Sequence, residues 1–438
     1  MALTTIPDEL SLLDSPAPTT LGAAPEFPVS ATLAVNELIA ARRRRGELVL
    51  PLGFGEAGLP VHPVLRQALA DAAGCNAYGP VAGLPALREA AAGYWTRRAL
   101  PTDPDAVICG PGSKALLYAL VAAIGGDIAV TKPSWVSYVA QASLAGVRAH
   151  LVPGAGGVPD ALALTRAVLA ARAEHRPIRA VIVTLPDNPT GALAAGARVR
   201  ALCAVAERHD LVIISDEIYR DLVYDGEPDF QSPSSFSAQR TVVTSGLSKS
   251  LALGGWRLGV TRLPDGPLGH QLRSRLLAIG SEIWSAPASP VQQAAAYAYA
   301  EPSVLTEHIG RSRRLHAAVA CAVAGKFAAA GAHVQRPQAA FYVYPDFGPL
   351  AGLLLHRYQV TSDEGLADLL LRFGVGVLPA SAFGEHGGRL RLRVATAMLY
   401  GETDEQRETA LTAHDPCALP WIAAALSRLE EVLTALAR

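Results

Sequence analysis

The stretch SGLSKSLALGGWRLG, residues 245–259, sets one lysine, Lys249, among Ser, Gly, Leu and Ala, with Arg257 eight residues further on. No charged residue lies between them. Gly254, Gly255 and Gly259 let the backbone bend or approach a ligand closely. Two basic side chains in an apolar, glycine-rich context suit a bound anion. Apolar surroundings also favour the neutral, nucleophilic form of an amine. Lysine is scarce: of 38 lysines and arginines, only Lys114, Lys132, Lys249 and Lys326 are lysines. Arginine cannot replace lysine where a neutral primary amine must form, so each surviving lysine is a candidate for chemistry.

Other polar clusters accompany this one. GPGSK, ending at Gly112, Ser113 and Lys114, offers consecutive backbone amides before a helix, an arrangement that binds anions. Asp216 in DEIY follows the apolar LVIIS, and a carboxylate buried there without a partner would be costly. Tyr219 lies three residues on. DNPTG carries Asp187 and Asn188, and PSWVSY carries Trp135. Taken singly, each has a plainer reading: a helix-start turn, an ordinary Asn-Pro-Thr-Gly turn or a core aromatic. GRLRLRVAT holds Arg389, Arg391 and Arg393, which share one strand face by the two-residue period.

These clusters need a scaffold. Strand-like runs begin near residues 106, 127, 147, 179, 211, 240 and 257, and alanine-rich helical runs separate several of them. That alternation implies an α/β fold: a mainly parallel, mixed sheet of seven strands sandwiched by helices. The polar clusters follow the strands, at the carboxyl rim where such sheets bind ligands. Residues 1–30, rich in Pro, Ser and Thr, read as a flexible arm. Residues 60–303 read as the large domain, and 31–59 with 304–438 as a smaller α/β domain. The polar segment 401–420 reads as a surface insertion, and ARRRRG at 41–46 as the end of a helix begun near Ala31.

From about Leu50 to Thr396 the motifs, in order and spacing, resemble the fold type I pyridoxal-phosphate enzymes, specifically the class I/II aminotransferase family. The resemblance implies that Lys249 forms a Schiff base with pyridoxal 5'-phosphate and carries the proton. Gly112, Ser113, Lys114, Ser248, Arg257 and a second serine, Ser245, would hold the phosphate. Asp216 would keep the ring nitrogen protonated, Tyr219 and Asn188 would bond the ring oxygen, and Trp135 would stack on the ring. Tyr78 would reach the phosphate of a neighbouring subunit, implying a homodimer with shared active sites. Arg391 would bind the substrate carboxylate, with Arg393 where the family usually has Ser. Gly55 would line the substrate side. The sequence departs from the family at Gly246, where a Ser is usual, and at Glu56-Ala57-Gly58, where Glu-Pro-Asp is frequent. Asp187 and Glu282 would meet a basic substrate side chain. The implied reaction is transamination between an amino acid and a 2-oxo acid; oxidation or hydroxylation, elimination and decarboxylation use the same cofactor and stand as alternatives.

Composition narrows the field. Half the residues are hydrophobic, enough for a sizeable core, and the net charge of -1 favours neither nucleic acid nor an anionic membrane. Five scattered cysteines without CxxC spacing point to a reducing compartment and no structural zinc. The N-terminus lacks a secretory pattern, and the longest apolar run, from Ala115, is too short for a bilayer. A cytoplasmic enzyme is expected. GFGEAG at 53–58 satisfies the dinucleotide fingerprint, but Pro60 and Pro63 follow where a helix should start. No GxSxG or HExxH occurs, and a non-catalytic relative would have lost the lysine or gained a DNA-binding module.

Overall fold

The computed structural model describes residues 29–437, so the arm expected over residues 1–30 lies outside it except for its last two positions. The helix Ala31–Arg44 ends in Arg42, Arg43 and Arg44, where cations complement the negative helix end. Strand β1 (Leu50–Pro51) follows.

The central sheet is built from β2 (Val107–Gly110), β3 (Asp127–Lys132), β4 (Ala149–Ala155), β5 (Val158–Pro159), β6 (Ile178–Thr184), β7 (Val212–Asp216), β8 (Thr241–Gly246) and β9 (Gly259–Arg262). Their order is β2-β9-β8-β7-β6-β3-β4-β5. The interior pairs β8/β7, β7/β6, β6/β3 and β3/β4 are parallel. β9 runs antiparallel to both neighbours. Seven of these strands coincide with the apolar runs of the sequence, and the eighth, β5, is a two-residue return onto β4. Every residue of β7 and β8 is buried, because helices cover both faces. One such helix, Ser113–Ile124, packs Leu116, Leu117, Leu120 and Val121 inward.

A second, smaller set of strands comprises β10 (Tyr342–Val343), β11 (Val375–Gly376), β12 (Leu378–Pro379) and β13 (Leu392–Ala395). β13 lies between β10 and β12, antiparallel to both, while β1 pairs with β11. One apolar core joins Leu52, Ala57 and Leu59 to residues from Leu315 onward, and Ile218, Tyr219, Leu222 and Tyr224 reach into it from the end of β7. The helix Ser303–Ala329 bridges two cores: its Leu305 packs with Leu65 and Trp95, its Val319 and Phe327 with Phe341.

Segment 401–420, expected as a surface insertion, carries regular helix. Asp404–Thr412 is a helix started by a reciprocal Thr403–Gln406 capping box, and its Ala410 and Leu411 are buried. Its polar composition reflects one solvated helix face. No helix among the described residues is long and apolar enough to cross a membrane.

Candidate active site

Thr184, Asp216 and Thr244 are register partners across β6, β7 and β8. Register partners in parallel strands present side chains to one face, so the three form a row at the sheet's carboxyl rim. Thr244 Oγ1 donates to Asp216 Oδ1 at 3.3 Å, and Tyr138 Oη donates to Asp216 Oδ2 at 2.9 Å. Tyr138 also lies 2.7 Å from Thr184 Oγ1. Burial raises the Asp216 carboxyl to about 6, against the lowering effect of these donors. Its hydrogen bonds come from hydroxyls and the backbone, none from a cation. A buried carboxylate so placed calls for a charged donor from a ligand.

Lys249 sits on the single turn Leu247–Ser250 directly after β8. Its Nζ donates to the carbonyl oxygen of Gly55 at 2.5 Å. Burial lowers its amine to about 8, Glu56 opposes the shift, and the nearby Arg393 and Arg257 reinforce it. A sizeable fraction of the amine is therefore neutral near physiological pH, as a nucleophile or proton carrier requires.

Gly112, with φ of +92°, precedes the helix Ser113–Ile124. A Cβ on Gly112 would collide with the Arg257 guanidinium, and one on Gly259 with the Ser113 backbone. Arg257 itself has φ of +53° and donates from Nη1 to the Gly254 carbonyl at 2.8 Å. The Lys114 amine stands 5.0 Å from the Trp135 ring centre, and its pKa is lowered by burial and then by Arg257. Two mutually repelling cations at a helix N-terminus make an anion cradle.

Tyr138, Thr184, Asp216, Lys249, Lys114 and Arg257 line one cavity of about 520 Å³, whose lining does not include Gly112 itself. Ser113, Lys114, Trp135, Asn188, Asp216, Tyr219, Ser248, Lys249, Arg257 and Gly55, all named from the sequence, meet there. Tyr219 and Tyr342 share a hydroxyl–hydroxyl contact of 2.7 Å, and Asn188 Oδ1 is buried without a partner. Trp135 and Tyr138 meet edge to face, centres 5.2 Å apart. The donor set fits pyridoxal phosphate: a cradle for its phosphate, a carboxylate for its ring nitrogen, an aromatic wall and an amine for its aldehyde.

Other sequence-named residues lie elsewhere. Ser245 is buried in β8 beside Tyr94 and Asp221, away from this cavity. Tyr78 is 93% exposed on the single chain. Glu282 is exposed and bonded to Ser281. Asp187 lines a neighbouring cavity, holding the Thr190 hydroxyl, and burial raises it to about 7. The geometry also departs from the expected carboxylate site. Arg391 lines that neighbouring cavity, its Nε 2.7 Å from Asp346 and its Nη1 3.2 Å from Glu385. Arg393 lines the cavity with Lys249 instead. The shared face expected for Arg389, Arg391 and Arg393 fails because regular strand begins only at Leu392, and the Arg391 amide turns back to the Arg389 carbonyl at 2.8 Å.

Sequence reasoning passed over Tyr138, Thr184, Tyr342 and the Ser30–Leu33 helix start, all of which line the cavity. Tyr138 follows Trp135 at the three-residue helical spacing, a usable signal. Tyr342 lies in the apolar run AAFYVY and carries none.

Comparison with known proteins agrees with this geometry. The aminotransferase class I and II family model matches residues 49–412. An aspartate/prephenate aminotransferase of Thermus thermophilus is 31% identical over 379 residues, covering 84% of this chain and 92% of that enzyme. One from Cereibacter sphaeroides is 34% identical, covering 85% and 92%. The solved aspartate aminotransferase of Thermus thermophilus with maleate superposes with a TM-score of 0.77 at 28% identity, covering 92% of this chain and 97% of that one. That of Rhizobium meliloti gives 0.79 at 25% identity, covering 95% and 99%. The chain belongs to the class I and II aminotransferases, pyridoxal-phosphate-dependent transferases of fold type I that move an amino group between an amino acid and a 2-oxo acid.

Proposed function

We propose that Lys249 is the catalytic lysine of this aminotransferase and that the cavity it shares with Asp216 and Arg257 is the cofactor site. The observation that carries this reading is the convergence of an amine whose pKa burial lowers, a cation-free buried carboxylate and an anion cradle on one cavity. When bound, pyridoxal phosphate supplies an aldehyde that takes up the amino group and a protonated ring that withdraws electrons. Asp216 holds the ring-nitrogen proton by charge and hydrogen bond. Tyr219 and Asn188 would bond the ring's phenolic oxygen, and Trp135 would supply the aromatic wall. Gly112, Ser113, Lys114, Ser248 and Arg257 hold the phosphate. Lys249 Nζ, its amine neutral by burial, would be the group that accepts and carries the proton of the substrate Cα.

The same reading makes the enzyme a cytoplasmic homodimer. Tyr78, exposed on the single chain, would reach the partner's phosphate site, as the family resemblance implies. The division into residues 60–303 and 31–59 with 304–438 accompanies it, with the site between. The names of the relatives make aspartate and prephenate the first substrate pairs to assay. The test is spectroscopic: the purified protein should absorb in the near-visible range, and single amino acids should shift it to the pyridoxamine form. Oxygen uptake or ammonia release without that shift would contradict amino transfer.

A further inference from the structure

We propose that Tyr342 is a positioning residue for the cofactor: its hydroxyl donates to Tyr219 and turns the Tyr219 proton toward the ring's phenolic oxygen. This deepens the reading above and rests on it. Tyr342 starts β10 and Tyr219 follows β7, yet their hydroxyl oxygens stand 2.7 Å apart. Both residues are buried, and both line the cavity that holds Lys249. The rings of Tyr342 and Phe341 meet Tyr219 edge to face, centres 5.6 and 6.1 Å away. Gly55 closes the other side, since a Cβ there would strike the Tyr342 hydroxyl.

A phenol carries one proton and can also accept one, so a single proton lies between the two oxygens. If Tyr219 donates to Tyr342, it has no proton left for a ligand. If Tyr342 donates, Tyr219 faces the cavity as a donor. The charged groups that act on the pair, Asp216 and Arg393, decide between these. The Arg393 guanidinium carbon stands 5.1 Å from the centre of the Tyr342 ring. Burial raises both phenols. On Tyr342 the next influence is Arg393, which lowers it. On Tyr219, Tyr342 and Asp216 raise the phenol further before Arg393 opposes them. Tyr342 is therefore the more acidic hydroxyl and the better donor. A hydrogen bond received by Tyr219 polarises its own O–H, so the bond it makes next is stronger.

The experiment titrates the visible absorbance of the holoenzyme against pH for wild type, Y342F, Y219F and the double variant. A donor at the phenolic oxygen favours its ionised form, and so lowers the pH at which the bound chromophore gives up its proton. Y342F leaves Tyr219 a weaker donor and should raise that midpoint by a few tenths of a unit up to about one, the worth of one hydrogen bond. Y219F should raise it further, and the double variant should match Y219F, because Tyr342 acts only through Tyr219. A fall in Y342F would mean that Tyr219 donates to Tyr342, and this or an unchanged midpoint overturns the proposal. So does a double variant that sums the two shifts. Should Y342F fail to fold, Y342H, whose ring nitrogen can still donate, should lie between wild type and Y219F, and a midpoint outside that interval overturns the proposal. A Y219F midpoint equal to that of wild type would instead refute the Tyr219 contact on which the proposal rests.

Discussion

The Gly55 carbonyl oxygen accepts the Lys249 amine, and the same residue faces Arg393 and Tyr342. Gly55 follows β1, which pairs within the smaller set of strands, whereas Lys249 follows β8 of the central sheet. The reactive amine is therefore positioned by backbone from the far side of the cavity. A methyl at Gly55 has no free space, so G55A should displace Tyr342 and Arg393 and lower kcat/KM by about tenfold or more, since small misplacements at a reacting centre are expensive. Steady-state kinetics with thermal melts would check this; wild-type kinetics would mean that the contact is incidental.

Lys249 should show its lowered pKa in cofactor capture. Burial favours the neutral amine, so the apoprotein's rate of capturing the aldehyde should rise with pH and level off above about 8. Stopped-flow absorbance across pH 6 to 10 reads this directly. A rise continuing toward pH 10 would indicate a solvated, unperturbed amine.

Asp216 makes a linked pair of predictions. Its folded pKa lies above the unfolded value, about 6 against 3.8, so the folded apoprotein binds the proton more tightly. Its own contribution to apoprotein stability therefore falls as pH rises from about 4 to about 6, and the cost persists above that. D216N should remove this part of the pH dependence and stabilise the apoprotein at pH 7 by at most about 3 kcal/mol, while lowering kcat by roughly 100-fold or more. Denaturant melts at pH 4 and pH 7 separate the stability effect from the kinetic one. Destabilisation of the apoprotein at pH 7 would count against the cation-free carboxylate.

Gly112 should resist substitution for two independent reasons. Its φ of +92° is strained for any side chain, and a Cβ would meet Arg257. G112A should weaken cofactor binding by about tenfold or more and cost roughly 1–3 kcal/mol of stability. Fluorescence titration of the apoprotein with the cofactor measures the first effect, and an unchanged Kd would remove Gly112 from the cradle.

The sequence was most legible where chemistry sits on short contiguous motifs. Lys249 with Arg257, Gly112 to Lys114, Asn188, and Asp216 with Tyr219 all follow strand ends, and the parallel sheet brings strand ends to one rim. The interior strands β6, β7 and β8 were legible because burial on both faces leaves near-continuous apolar runs. Tyr342 was obscured because its partner across the cavity, Tyr219, comes from a distant part of the chain. The arginine register failed for a local reason: alternation holds only inside regular strand, and β13 starts between Arg391 and Arg393. Arg391 also carries two acidic partners that no spacing rule reveals.

The most direct measurement is borohydride reduction of the purified holoenzyme followed by peptide mass mapping. The account predicts a phosphopyridoxyl mass on the peptide carrying Lys249 and on no other lysine, and no such adduct in K249A. A modified Lys114, Lys132 or Lys326 in place of Lys249, or no trapped cofactor on a coloured protein, would contradict it.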